Sequence, residues 1–130
     1  MLRAAHRLLL LLAAPLIGLT GCVNKEVTEP YQHADYDAAQ ILDVLLGDDM
    51  KAKLDAEAQL DEVPAAERLA IPIEVREKGD DKARLIVAEH LGRMTGDGAA
   101  RAILLEMKEN DPDRIVRYKA GKALEKIDAP

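Results

Sequence analysis

Ile103-Leu104-Leu105-Glu106-Met107-Lys108-Glu109-Asn110-Asp111-Pro112-Asp113-Arg114-Ile115-Val116-Arg117 is the stretch that decides the fold. Apolar residues cluster on one helical face before Asn110 and resume at Val116, Ala120, Ala123, Leu124 and Ile127 with helical spacing. Between them lies a turn. Asp111 is placed to cap the second helix and Pro112 suits its first position, where a missing N–H is tolerated and acids complement the positive helix end. Upstream, Gly98 to Glu109 reads as the first helix, with Asp97 as its cap and Gly96 ending the helix before it. The unit is helix–turn–helix.

Sliding the chain by 33 positions repeats this unit. Asp80-Asp81-Lys82-Ala83-Arg84 falls on Asp113-Arg114-Ile115-Val116-Arg117, and Ala88, Leu91 and Met94 fall on Gly121, Leu124 and Ile127. A fixed period of this length marks a stacked helical repeat. Ankyrin turn residues and the aromatic knobs of tetratricopeptide repeats are absent. The run from Ile103 to Arg117, with Ala120, Ala123 and Leu124, resembles a HEAT repeat, and the copy from Ala70 through Arg84 to Gly92 is similar. The resemblance covers residues 64–128 and implies an all-α fold, a short α-solenoid of HEAT-like antiparallel helix pairs. It also implies that Asp111 in the turn and Arg117 six residues later hydrogen-bond within or between repeats, with Arg84 matching Arg117. In the earlier copy Lys78 replaces the turn Asp, which leaves the ladder open there.

Residues 35–63 read as a divergent helical, capping segment. Ala38, Ile41, Leu42, Leu45 and Leu46 keep helical spacing and Gly47 is a stop. From Met50 to Leu60 apolar residues alternate strictly, a strand signal, but Ala, Lys, Leu, Glu, Gln and Met favour helix. Helix is the expectation. A similar alternation over Ile71-Pro72-Ile73-Glu74-Val75 keeps a hairpin open.

At the other end of the chain, Arg3 and Arg7 precede an apolar run, Leu8 to Leu19, too short for a membrane span and of the kind found in secretory signals. Leu19-Thr20-Gly21-Cys22 resembles the lipobox of bacterial lipoproteins. That resemblance implies a signal peptide over 1–21, lipidation at Cys22, and a chain anchored to a membrane rather than spanning it. Val23 after the Cys, where inner-membrane retention in enteric bacteria usually shows Asp, implies the outer membrane with the domain facing the periplasm. Residues 22–34 then form the lipidated Cys and a flexible tether, reaching at most about 40 Å.

Composition narrows the chemistry. The 130 residues include one Cys and no Ser, so an intrachain disulfide, a Cys-based zinc cluster and a serine nucleophile are excluded. A net charge of −6 argues against nucleic acid as partner. His33 with Asp35 and Asp37 is a loose metal-like cluster lacking a calcium-loop pattern, so no metal and no cofactor is expected. His90 reads as a packed imidazole, no acid–base pair can be placed by spacing, and the chain is not expected to be an enzyme.

Charge is unevenly spread. Residues 35–63 carry nine acids against two lysines, whereas 64–130 balance. The final helix carries Arg114, Arg117, Lys119, Lys122 and Lys126, with Lys119, Lys122 and Lys126 on one face and Tyr118 beside them as an anchor. This basic stripe fits an acidic envelope protein or, more weakly, the acidic half of a second copy; it also fits a solvated solenoid end. The functional expectation is an envelope lipoprotein acting as a protein-binding or assembly module. A small-anion carrier or enzyme using the last helix or His90, and a structural spacer, are the alternatives.

Overall fold

The computed structural model describes residues 34–130. Among them there is helix and no strand. The helices are α1 (Ala38–Leu46), α2 (Met50–Gln59, continued by a 3-10 turn at Leu60–Glu62), the single turn α3 (Ala65–Arg68), α4 (Ala70–Lys78), α5 (Asp81–Gly92), α6 (Gly98–Asn110) and α7 (Arg114–Ile127). The all-α expectation holds at this level.

Aspartate starts five of these seven helices. Asp37, Asp49, Asp80, Asp97 and Asp113 each accept backbone N–H groups of the first turn, and Asp37 forms a reciprocal capping box with Gln40. In a chain without Ser, Asp satisfies the orphan donors and adds a charge that suits the helix dipole. Asp113, not Asp111, caps α7, and Pro112 lies outside the helix. The reason is local. The Asp111 N–H still closes α6 by donating to Met107 O, and the residue before a proline is held extended, at φ −62° and ψ 134°.

The alternating stretch from Met50 is helical, so the strand reading falls. Its buried positions are Lys53, Ala56 and Leu60, spaced i, i+3, i+7. A lysine standing at a core position hid the stripe. The second alternation is helical too: Ile71, Pro72 and Val75 are buried in α4, with Pro72 in the first turn where no intrahelical donor is lost.

Helices joined by short turns pack on each other: α1 with α2, α4 with α5, α6 with α7. Across the pairs, α2 meets α5, α5 meets α7, and α1 meets α4. One core runs through all of them, from Ile41 and Leu45 through Val75, Val87 and Leu91 to Leu104, Val116 and Ala120. Where α5 crosses α7 the backbones come close enough that a Cβ on Gly92 would stand 2.9 Å from Ala123 Cβ.

Candidate functional site

The three helical pairs are linked by ion pairs that start from one helix position. Lys53, Arg84 and Arg117 each stand four residues after an N-cap Asp (Asp49, Asp80 and Asp113). Lys53 Nζ donates to Asp80 Oδ2 at 2.6 Å, linking α2 to the cap of α5. Arg84 donates to both carboxylate oxygens of Asp111, from Nε at 2.9 Å and Nη2 at 3.3 Å, and to its own turn at Gly79 O. Lys53 and the Asp111 carboxylate are buried, so each would be costly without its partner. Burial works to raise the Asp80 carboxyl, but the Lys53 ammonium and the Ala83 N–H outweigh it and hold it below the usual range.

Arg117 completes the series differently. It donates to the backbone carbonyls of its own turn, Asp111 O at 2.6 Å and Pro112 O at 3.1 Å, while the Asp111 carboxylate belongs to Arg84. The pairing of Asp111 with Arg117 is therefore carbonyl-mediated within the pair, and the side-chain bond runs between pairs. In the earlier copy the acid is Asp80, two residues past Lys78, and its cation is Lys53, a residue the spacing did not single out.

Beyond Arg117 lies a groove of about 580 Å³ between α6 and α7, whose walls include Leu105, Lys108, Arg117, Tyr118, Gly121 and Lys122. Tyr118 is 61% exposed, and Lys122 Nζ sits 5.8 Å from its ring centroid, within cation–π reach. The basic residues of α7 do not act as one surface. Lys122 turns into the groove and pairs with Glu125 at 3.1 Å. Lys119 approaches Glu89 of α5 at 3.6 Å. Arg114 and Lys126 are exposed, with no ion pair among the described residues.

No family model, curated protein or solved structure matches the chain. The site therefore rests on its own geometry.

His90 is the other notable group. It is 1% exposed, and Nδ1 lies 2.9 Å from Asp61 Oδ1 of the 3-10 turn; Arg93 Nε donates to the same carboxylate. Nε2 is buried without a hydrogen-bond partner. Burial lowers the imidazole pKa more than Asp61 raises it, so the ring is neutral at pH 7, donating from Nδ1. A cleft of about 320 Å³ adjoins the pair, lined by Arg68, Arg93 and Thr95 among others. The imidazole locks the Leu60–Glu62 turn against α5, in line with the packed reading of the sequence. Asp61 is 29 residues away, beyond any local spacing rule.

On the α2–α5 surface Glu57 is raised, first by burial and then by the neighbouring Glu89. Among the described residues no group of three or more His, Cys, Asp or Glu could hold a metal ion, and no helix is long and apolar enough to cross a membrane. Cys22 and His33 lie outside the described residues.

Proposed function

We propose that this chain is a membrane-tethered, HEAT-like protein-binding module of a bacterial envelope. Cys22 carries the lipid, 22–34 serve as tether, and the domain faces the periplasm from the outer membrane. The observation that carries the binding reading is the α6–α7 groove. It combines an exposed aromatic, Tyr118, with cations that lack a carboxylate partner among the described residues, Lys108 and Arg117. Exposed aromatics beside Arg and Lys are what anchor protein interfaces. Repetition of the Lys53–Asp80 and Arg84–Asp111 links at one helix position supports a solenoid of stacked pairs. The LTGC motif at 19–22 behind its apolar run supports the anchor.

Two experiments test this. Cys22→Ala, or globomycin, is expected to leave an unprocessed chain that changes size and membrane fraction; unchanged size and fraction would overturn the anchor. Reversing the charges of Lys108 and Lys122 together with Tyr118→Ala, all in the groove, is expected to remove a protein partner from envelope pull-downs. Retention of every protein partner by the triple variant would overturn the α6–α7 groove as the binding surface.

A further inference from the structure

We infer that the α6–α7 groove receives the α1–α2 turn of a second copy of this chain, joined head to tail. The inference rests on the protein-binding reading above and names its occupant.

Lys53 and Arg84 each reach forward to a carboxylate in the turn of the next pair, Asp80 and Asp111. Arg117 occupies the same helix position and, among the described residues, has no carboxylate to reach. At the opposite end, Asp49 caps α2 as Asp80 caps α5. Its Oδ1 accepts from the Lys51 and Ala52 N–H groups. No cation pairs with Asp49 or with its exposed neighbour Asp48 among the described residues. Carrying the chain's own inter-pair step one pair further brings Arg117 of one copy to Asp48 and Asp49 of the next.

Surface chemistry agrees. Residues 35–63 carry nine acids against two lysines, while the groove offers Lys108 and Arg117. Around the α1–α2 turn Leu46, Met50 and Leu54 are exposed; in the groove, Leu105 and Tyr118 are. Gly121 adds an independent sign. It sits in mid-helix, where Gly is unfavourable relative to Ala. A Cβ there would meet nothing closer than Lys108 Cδ at 3.8 Å. Packing within the chain does not require that glycine, and its missing side chain leaves room for another backbone to approach.

The contact differs from the internal ones in strength. At the 33-residue equivalents of buried Val75 and Gly92 the groove carries Lys108 and Glu125. These polar side chains keep the end face wet, so the association is reversible. Because the two surfaces differ, it propagates as a chain of copies rather than closing as a symmetric dimer.

The test places a photoreactive amino acid at position 118 of the full-length chain in whole cells. Expected is a chain-to-chain crosslink whose attached peptide maps to residues 46–54. Asp49→Asn keeps the cap and Arg117→Gln keeps a donor for the turn carbonyls, so both leave the melting curve in place. Each is expected to lower the crosslink yield about fivefold, the size of one partly exposed ion pair, whereas Lys82→Gln leaves it unchanged. A crosslink to a different protein alone overturns self-docking and leaves the binding reading standing. A crosslink joining two α7 helices, or a yield indifferent to both variants, also overturns it. A folded chain that gives no crosslink overturns both.

Discussion

The internal rungs and the terminal one start from the same helix position and end in opposite situations. Lys53 and Arg84 spend their charge inside the domain, on Asp80 and on the buried carboxylate of Asp111. Arg117 satisfies its guanidinium on backbone carbonyls at the edge of an open groove. Glycine follows the same division. Gly92 is required by Ala123 across the α5–α7 crossing, while Gly121 faces the groove with room to spare. One helix position holds the interior together through Lys53 and Arg84, and at Arg117 it borders an open groove.

Removing Asp80 breaks that comparison most sharply. Asp80→Ala strands the buried Lys53 ammonium and takes away the α5 cap, and should lower unfolding free energy by about 2–4 kcal/mol, reduced from the fully buried case because Asp80 is half-exposed. Lys53→Met, which keeps the apolar stem and leaves Asp80 to water and its cap, should change stability by less than about 1 kcal/mol. Urea denaturation reads both. Equal losses would mean that the ion pair itself, rather than the stranded charge, stabilises the fold.

The two glycines come next and should move in opposite directions. Gly92→Ala forces a methyl against Ala123, whose Cβ cannot rotate away, and should destabilise by about 1–3 kcal/mol. Gly121→Ala meets only the Lys108 stem, at an ordinary contact distance of 3.8 Å, and should stabilise by about 0.5–1 kcal/mol through helix propensity, while weakening any docking in the groove.

His90 supplies a pH dependence confined to the interior. Its folded pKa is depressed below the ordinary 6.5, so the unfolded chain binds the proton more readily. Stability contributed by neutral His90 is complete well above pH 6.5 and falls as pH drops through that value toward the folded pKa. Denaturation midpoints at pH 8 and pH 5.5 should show the loss, and His90→Gln should flatten it. The Asp61 carboxyl is held below its usual range: burial acts to raise it, and the His90 hydrogen bond and Arg93 prevail. Its contribution disappears only in stronger acid, below about pH 4, so the two windows are separable.

Arg117→Ala should have a small effect. Two carbonyl bonds at a partly exposed site are worth about 1 kcal/mol to folding. A loss as large as that of Asp80→Ala would place Arg117 among the internal rungs and remove the contrast between them.

Much of the fold was legible because helices announce themselves locally. The apolar face of α6, the Asp97 cap and the α7 stripe of Val116, Ala120, Ala123, Leu124 and Ile127 all follow from spacing within a few turns. α2 was harder to read because its core stripe is built on Lys53, a residue that periodicity counts as solvent-facing. The α7 cap moved from Asp111 to Asp113 because two acids share one turn and only the closing bond of α6 decides between them. Arg84 was legible as a repeat position, but its partner is 27 residues away, and Asp61 of His90 is 29 away.

The sequence by itself therefore determined the helical content, the apolar faces of α1, α6 and α7, and that acids gather before residue 64 and cations on the last helix. Those are properties of residues within one or two turns of each other. Tertiary structure decided which charges meet. An ion pair between successive helices depends on how one pair lies against the next, and no spacing rule along the chain encodes that step. It placed Lys53 and His90 in the interior, gave the Asp111 carboxylate to Arg84, and left Arg117 facing the groove.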